Sequence, residues 1–187
     1  MKLKEMSAKN GWNFLDEPRD NFDYYQTFYF FQSRPIENLS NRVFLQEKNI
    51  NWEIADVTFE EGAFMLLEEF KTTLGLIKLT NRIPKFIIEK KDFTDKYLNW
   101  SGHKDIDYVV YRNFSDEYLV RGKNLDAIKS FLNGDLKNLI ENSEVIHHLE
   151  SNGEAILLFT DNLKRAPVQD YKKIVAFAKA LKKIIGE

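Results

Sequence analysis

The clearest periodicity in the chain lies in residues 42–48 and 51–59. Val43, Leu45 and Glu47 fall on one side, Phe44 and Gln46 on the other; Trp52, Ile54 and Asp56 then alternate with Glu53, Ala55, Val57 and Phe59. A period of two on both sides of Lys48-Asn49 predicts a β-hairpin. Glu60-Glu61-Gly62 reads as the next turn. Residues 63–70 and 72–80 read as a strand pair or one long bent strand, with Thr72, Thr73 and Ile77 favouring extended backbone. Ile83-Pro84-Lys85-Phe86-Ile87-Ile88 is a further strand, its proline placing the start at an edge. This half of the chain reads as an antiparallel meander.

Helical spacing dominates elsewhere. Residues 2–10 suit a short helix with Leu3, Met6 and Ala8 turned inward, stopped by Asn10-Gly11, which tolerate the left-handed conformation of a helix end. Phe114 to Val120 reads as a strand leaving through Arg121-Gly122. Asn124 is an N-cap for a helix carrying Leu125, Ile128 and Leu132 on one face. Gly134 ends that helix and Asp135 caps a second one with Leu136, Leu139 and Ile140. Val145–Glu150 and Glu154–Phe159 form a hairpin about Asn152-Gly153. Pro167 starts a final helix on which Tyr171, Ile174, Val175, Ala178, Leu181 and Ile185 make one apolar stripe. No repeat or linker divides the chain. These elements predict a single α+β domain over residues 1–187: a largely antiparallel sheet of about seven to nine strands, with N-terminal, middle and C-terminal helices mainly on one face.

Composition changes this picture mostly by exclusion. A chain of 187 residues can bury roughly 70% of its unfolded surface, and 43% hydrophobic residues set it apart from disordered chains. The absence of cysteine excludes disulfides, thiolate zinc sites, iron–sulfur clusters and thiol nucleophiles. It fits a cytoplasmic location without proving one. A net charge of -2 gives no global pull toward nucleic acid, and no run approaches the ~20 apolar residues of a membrane span. Six of the eight residues from Tyr24 to Phe31 are Tyr or Phe. They suit a core, or the underside of a neighbouring helix, and secondarily a docking surface.

Charge is zoned. Residues 47–69 hold seven acids against one lysine, while 163–187 hold seven bases against two acids. Lys172, Lys173, Lys179, Lys182 and Lys183 sit on the final helix away from its apolar stripe. A solvated helix face explains them. The sharper reading is a surface for an anionic membrane or a protein partner, each base near such a lipid surface adding about 1 kcal/mol. The lysines lack the interleaved aromatics that stack bases, so nucleic acid is not favoured.

Candidate chemistry is sparse. His103, Asp105 and Asp107 share one side of an extended segment, as metal ligands or an acid–base group would. The competing reading is a polar loop whose aspartates cap turns, and no second cluster supplies a fourth ligand. With Trp100 and Tyr118 these residues could instead line an aromatic pocket for a small molecule, as binder or enzyme. His147 and His148 are adjacent on a strand and point to opposite faces, one half-buried and one exposed. Gly-x-Ser-x-Gly, the Walker A motif, Gly-x-Gly-x-x-Gly and His-Glu-x-x-His are all absent. No catalytic residue, metal or cofactor is therefore assigned.

Lys-Asn-Gly-Trp-Asn-Phe (9–14), Ile-Pro-Lys-Phe-Ile-Ile-Glu (83–89), Asp-Ile-Asp-Tyr (105–108) and Phe-Ser-Asp-Glu-Tyr-Leu-Val-Arg-Gly (114–122) occur in this order before a short helix, a hairpin and a final helix. That order resembles a widespread group of uncharacterised bacterial domains, many of them the soluble part of membrane-tethered proteins. The resemblance covers most of the chain and implies a fold, with no activity and no catalytic residues to carry over. The leading expectation for the chain as a whole is a non-enzymatic binding or protein-interaction module acting beside the membrane, associated with it through a missing N-terminal segment or by peripheral contact. Met1 reads equally as a native start or as the edge of a fragment.

Overall fold

In a computed structural model of the chain, residues 2–17, 21–47, 50–63, 66–91, 109–111, 117–144, 146–160 and 164–186 are described. The alternation in the first half becomes three long strands: β2 (Ile36–Glu47), β3 (Ile50–Ala63) and β4 (Leu66–Lys78), preceded by the short β1 (Asn13–Leu15). The doubt between a strand pair and one long strand at 63–80 resolves to the single strand β4. With β5 (Phe86–Lys90), β6 (Val109–Tyr111), β7 (Tyr118–Gly122), β8 (His148–Ser151) and β9 (Ala155–Phe159), these form one sheet in the order β1-β2-β3-β4-β9-β8-β5-β7-β6. Every pairing is antiparallel. The fold is α+β, as the periodicity predicts.

Both faces of the sheet are covered. On one, Trp52, Ile54, Ile77, Ile88, Val120, Ile156 and Leu158 pack beneath α1 (Leu3–Lys9), α3 (Leu125–Phe131), α4 (Gly134–Glu141) and α5 (Val168–Ile185). On the other, Ala55, Val57, Phe59, Leu74, Leu157 and Phe159 pack against the aromatic run. Strand parity divides the two sets, because neighbouring side chains on a strand leave opposite faces. The aromatic run is core: a 3₁₀ turn at Tyr25–Thr27 and the single-turn α2 (Tyr29–Gln32) bury Tyr25, Phe28, Phe30 and Phe31. Phe30 alone meets the rings of Phe31, Phe59 and Phe159 at centroid separations of 5.1, 5.5 and 4.4 Å.

Several local expectations are corrected. Ala8 is exposed and Ser7 takes the inward place beside Met6. The strand expected to leave at Arg121-Gly122 continues through both. Asn133, rather than Asp135, caps α4, its side chain accepting from the Leu136 amide at 2.9 Å. Asn124 does cap α3, accepting from the Ala127 amide at 3.0 Å. Phe114 and Val145 lie outside the described residues.

One buried carboxylate fixes the long helix to the sheet. Asp56 Oδ1 accepts from Thr73 Oγ1 at 2.6 Å and from the Tyr171 hydroxyl at 3.1 Å, and Oδ2 accepts from Asn41 Nδ2 at 2.8 Å. Asn41 stands in the left-handed region, φ 50°, within the bulge between Ser40 and Val43 that turns its amide toward Asp56. Thr73 Oγ1 in turn accepts from the Ala166 amide at 2.8 Å, just before α5. Burial, then the neighbouring Asp56 charge, pushes the Tyr171 hydroxyl pKa up, so it stays a neutral donor.

Candidate functional site

A groove follows from how α4 and α5 sit on the sheet. Each turns one apolar face down: Leu136 and Ile140 on α4, and Ile174, Ala178 and Leu181 on α5. A second apolar ribbon on α5, made of Ala176, Phe177, Ala180 and Ile184, faces α4 across a groove of about 920 Å³, with Leu139 on the opposite side. Volumes of this order are those of ligand sites. The α4 wall carries Asp135, Asn138, Asn142, Ser143 and Glu144; the α5 wall carries Lys173 and Lys183. Lys173 Nζ lies 3.6 Å from Glu144 and 3.5 Å from Asp170, so it reaches across one end.

This arrangement places the predicted lysines. Lys172, Lys173, Lys179 and Lys183 are exposed and Lys182 is half-buried. Lys172, Lys179 and Lys183, spaced i, i+7 and i+11, form one row along the outer edge of the groove. Among the described residues no helix is long and apolar enough to cross a membrane. The other predicted set fares differently. Trp100, His103, Asp105 and Asp107 lie outside the described residues. Tyr118 is 1% exposed, its ring in the core beneath the helices and its hydroxyl donating to the Ile140 carbonyl at 3.2 Å. Its place is that of a packing residue tying β7 to α4.

Sequence reasoning missed a buried charged network on the opposite face. Glu89 of β5, Arg121 of β7, and His148 and Glu150 of β8 share a side of three adjacent strands. One half-buried and one exposed histidine were expected; instead His148 is 1% exposed and His147 is half-buried. Its Nδ1 lies 3.0 Å from Glu89 Oε1 and its Nε2 3.4 Å from Glu150 Oε2. Glu89 Oε2 also pairs with Arg121 at 3.5 Å. Glu150 accepts from the backbone amides of Tyr29 and Phe30, the latter at 3.1 Å, and so holds α2 against the sheet. Burial alone would lower the His148 pKa; hydrogen bonding to Glu150 and Glu89 outweighs it and raises the value. The imidazole lies between two carboxylates and is covered by the rings of Phe30 and Phe159. Among the described residues no three His, Asp or Glu groups are arranged to hold a metal ion.

The architecture is thus an open antiparallel sheet layered by helices on one face and an aromatic segment on the other. No protein-family model matches the chain, and no curated protein does. Its structure is similar to the crystal structure of the mycobacterial trehalose monomycolate transport factor A, TtfA, with a TM-score of 0.66 over 98% of this chain and 92% of that one. Sequence identity is 8%, so the likeness is one of fold.

Proposed function

We propose that this chain is a non-enzymatic binding module that works beside a membrane, with the α4–α5 groove as its binding surface and the adjoining lysine row turned toward anionic lipid. The groove carries the reading: a partly open apolar floor between two helices, edged with amides and charges. The lysine row supports the membrane half. Three bases beside an anionic surface contribute on the order of 3 kcal/mol, enough for peripheral contact that added salt weakens. A fold shared end to end with a protein named as a transport factor is compatible with binding in place of turnover, as is the resemblance to membrane-tethered bacterial domains.

Vesicle flotation tests the membrane half. The full chain is expected to float with vesicles containing about one-third phosphatidylglycerol and to stay behind with pure phosphatidylcholine. Lys172→Glu/Lys179→Glu, both on exposed positions, is expected to abolish flotation while leaving the melting temperature within a degree or two. Equal partition onto both vesicle types, or no effect of the charge reversal, overturns it.

A further inference from the structure

The walls of the groove differ in sign. Asp135 stands on the α4 side and Lys183 on the α5 side, where the row completed by Lys172 and Lys179 adds to it; Glu144 and Lys173 pair with each other across one end at 3.6 Å. Between them the floor is apolar, and its centre is made of Ala176 and Ala180, one turn apart. Small residues there let a neighbouring backbone approach closely. From Lys173 to Ile184 the floor runs about 16 Å, or three helical turns. These dimensions suit a third helix laid beside α4 and α5, which would extend the helical layer already on this face.

We propose that the groove receives an amphipathic helix of a partner protein, about three turns long, whose apolar stripe at i, i+3, i+4 and i+7 is flanked by bases on one side and acids on the other. This deepens the reading of the groove as a binding surface and rests on it. Helix-in-groove docking takes its affinity from apolar anchors. The flanking charges select the partner, because like charges set opposite each other exclude wrong ones. An anionic amphiphile lying in the groove would satisfy Lys183 and its row and be repelled by Asp135. A wholly basic helix meets the reverse problem at Lys183 and the lysine row. Only an occupant zoned like the groove satisfies both walls.

Three labelled 15-residue helical peptides with one Leu/Ala stripe test this by fluorescence anisotropy against the full chain: one with Lys along one flank and Glu along the other, one with Lys on both, one with Glu on both. The mixed peptide is expected to bind at least tenfold more tightly than either single-sign peptide. Ala176→Trp, which fills the groove from an exposed position, is expected to weaken it at least tenfold. Lys173→Glu/Lys183→Glu makes both walls acidic and is expected to move the preference to the all-Lys peptide, an outcome that loss of folding cannot mimic. Equal affinities for the three peptides, no binding, or no change of preference in the double variant overturns the helix proposal. If Ala176→Trp instead abolishes vesicle flotation while no peptide binds, the groove is a binding surface for lipid, and the helix proposal alone falls. If groove substitutions alter neither assay, the groove reading falls with it.

Discussion

At the scale of single residues, His148 shows how a charged group persists inside an apolar sheet. Its ring touches Phe30 and Phe159, and its nitrogens face Glu89 and Glu150; among the described residues, Arg121 completes the charge set through Glu89. A histidine whose folded pKa is raised stabilises the fold fully below its unfolded value near 6.5, and that contribution is lost as pH rises through the folded value. Stability from urea unfolding is therefore expected to fall as pH rises above about 6.5, and to fall less steeply in His148→Gln, which keeps a hydrogen-bonding side chain without the imidazole titration. A wild-type profile that is flat or rising above that pH, or an unchanged slope in the variant, contradicts this account. The network was hidden in the sequence because each member looks ordinary alone. Glu89 follows Phe86-Ile87-Ile88, and Glu150 follows Leu149. Only strand register brings their parities together, and register between β5 and β8 spans nearly sixty residues of chain.

At the scale of elements, the legible features were those governed by local rules. The parity of Trp52 and Ile54 against Ala55, Val57 and Phe59 does divide the two cores, and Asn124 and Asn152-Gly153 do make a cap and a turn. Gly153 adopts φ 98°, which its turn demands. Ends were less legible, because tertiary pairing overrides a local stop. Gly122 looked like a strand exit, yet β6 pairs with it and holds it extended. Its actual role is room: a Cβ there would stand 2.2 Å from Ile128 Cδ1 and 2.9 Å from the Lys85 carbonyl oxygen. Gly122→Ala is expected to destabilise by about 2 kcal/mol through overpacking of α3 on β7. Gly134→Ala, where a Cβ meets nothing within 4 Å, is the matched control and is expected to be neutral or stabilising by up to about 1 kcal/mol. Urea midpoints of the two variants decide this. The groove escaped sequence reading for a related reason: Ala176, Phe177, Ala180 and Ile184 form a weaker ribbon beside the stronger stripe that packs on the sheet.

At the scale of the whole molecule, strand order departs from chain order where β9 and β8 stand between β4 and β5, and again where β7 lies between β5 and β6. β1 to β4 form a meander of sequence neighbours, and β5, β7 and β6 cluster at the far edge, but the two groups meet only through the hairpin β8–β9. A chain ending at Ser143 retains both groups and loses what joins them, together with α5. It is expected to show strand-rich circular dichroism without a cooperative melt, and to scatter light at concentrations where the full chain is clear, because β4 then presents a long unpaired edge. A sharp, reversible transition in that fragment would show that the meander folds independently.

The same topology sets a clock during synthesis. Lys78 must wait for Ala155, 77 positions later, before β4 gains its second neighbour. At 5–20 residues per second the wait is on the order of 4 to 15 seconds. The nascent protein spends that interval as a growing ladder with one side open. Whatever shields that side in the cell, whether the ribosome surface or a chaperone, has seconds to act, and codon choice downstream of β4 adjusts the length of the exposure.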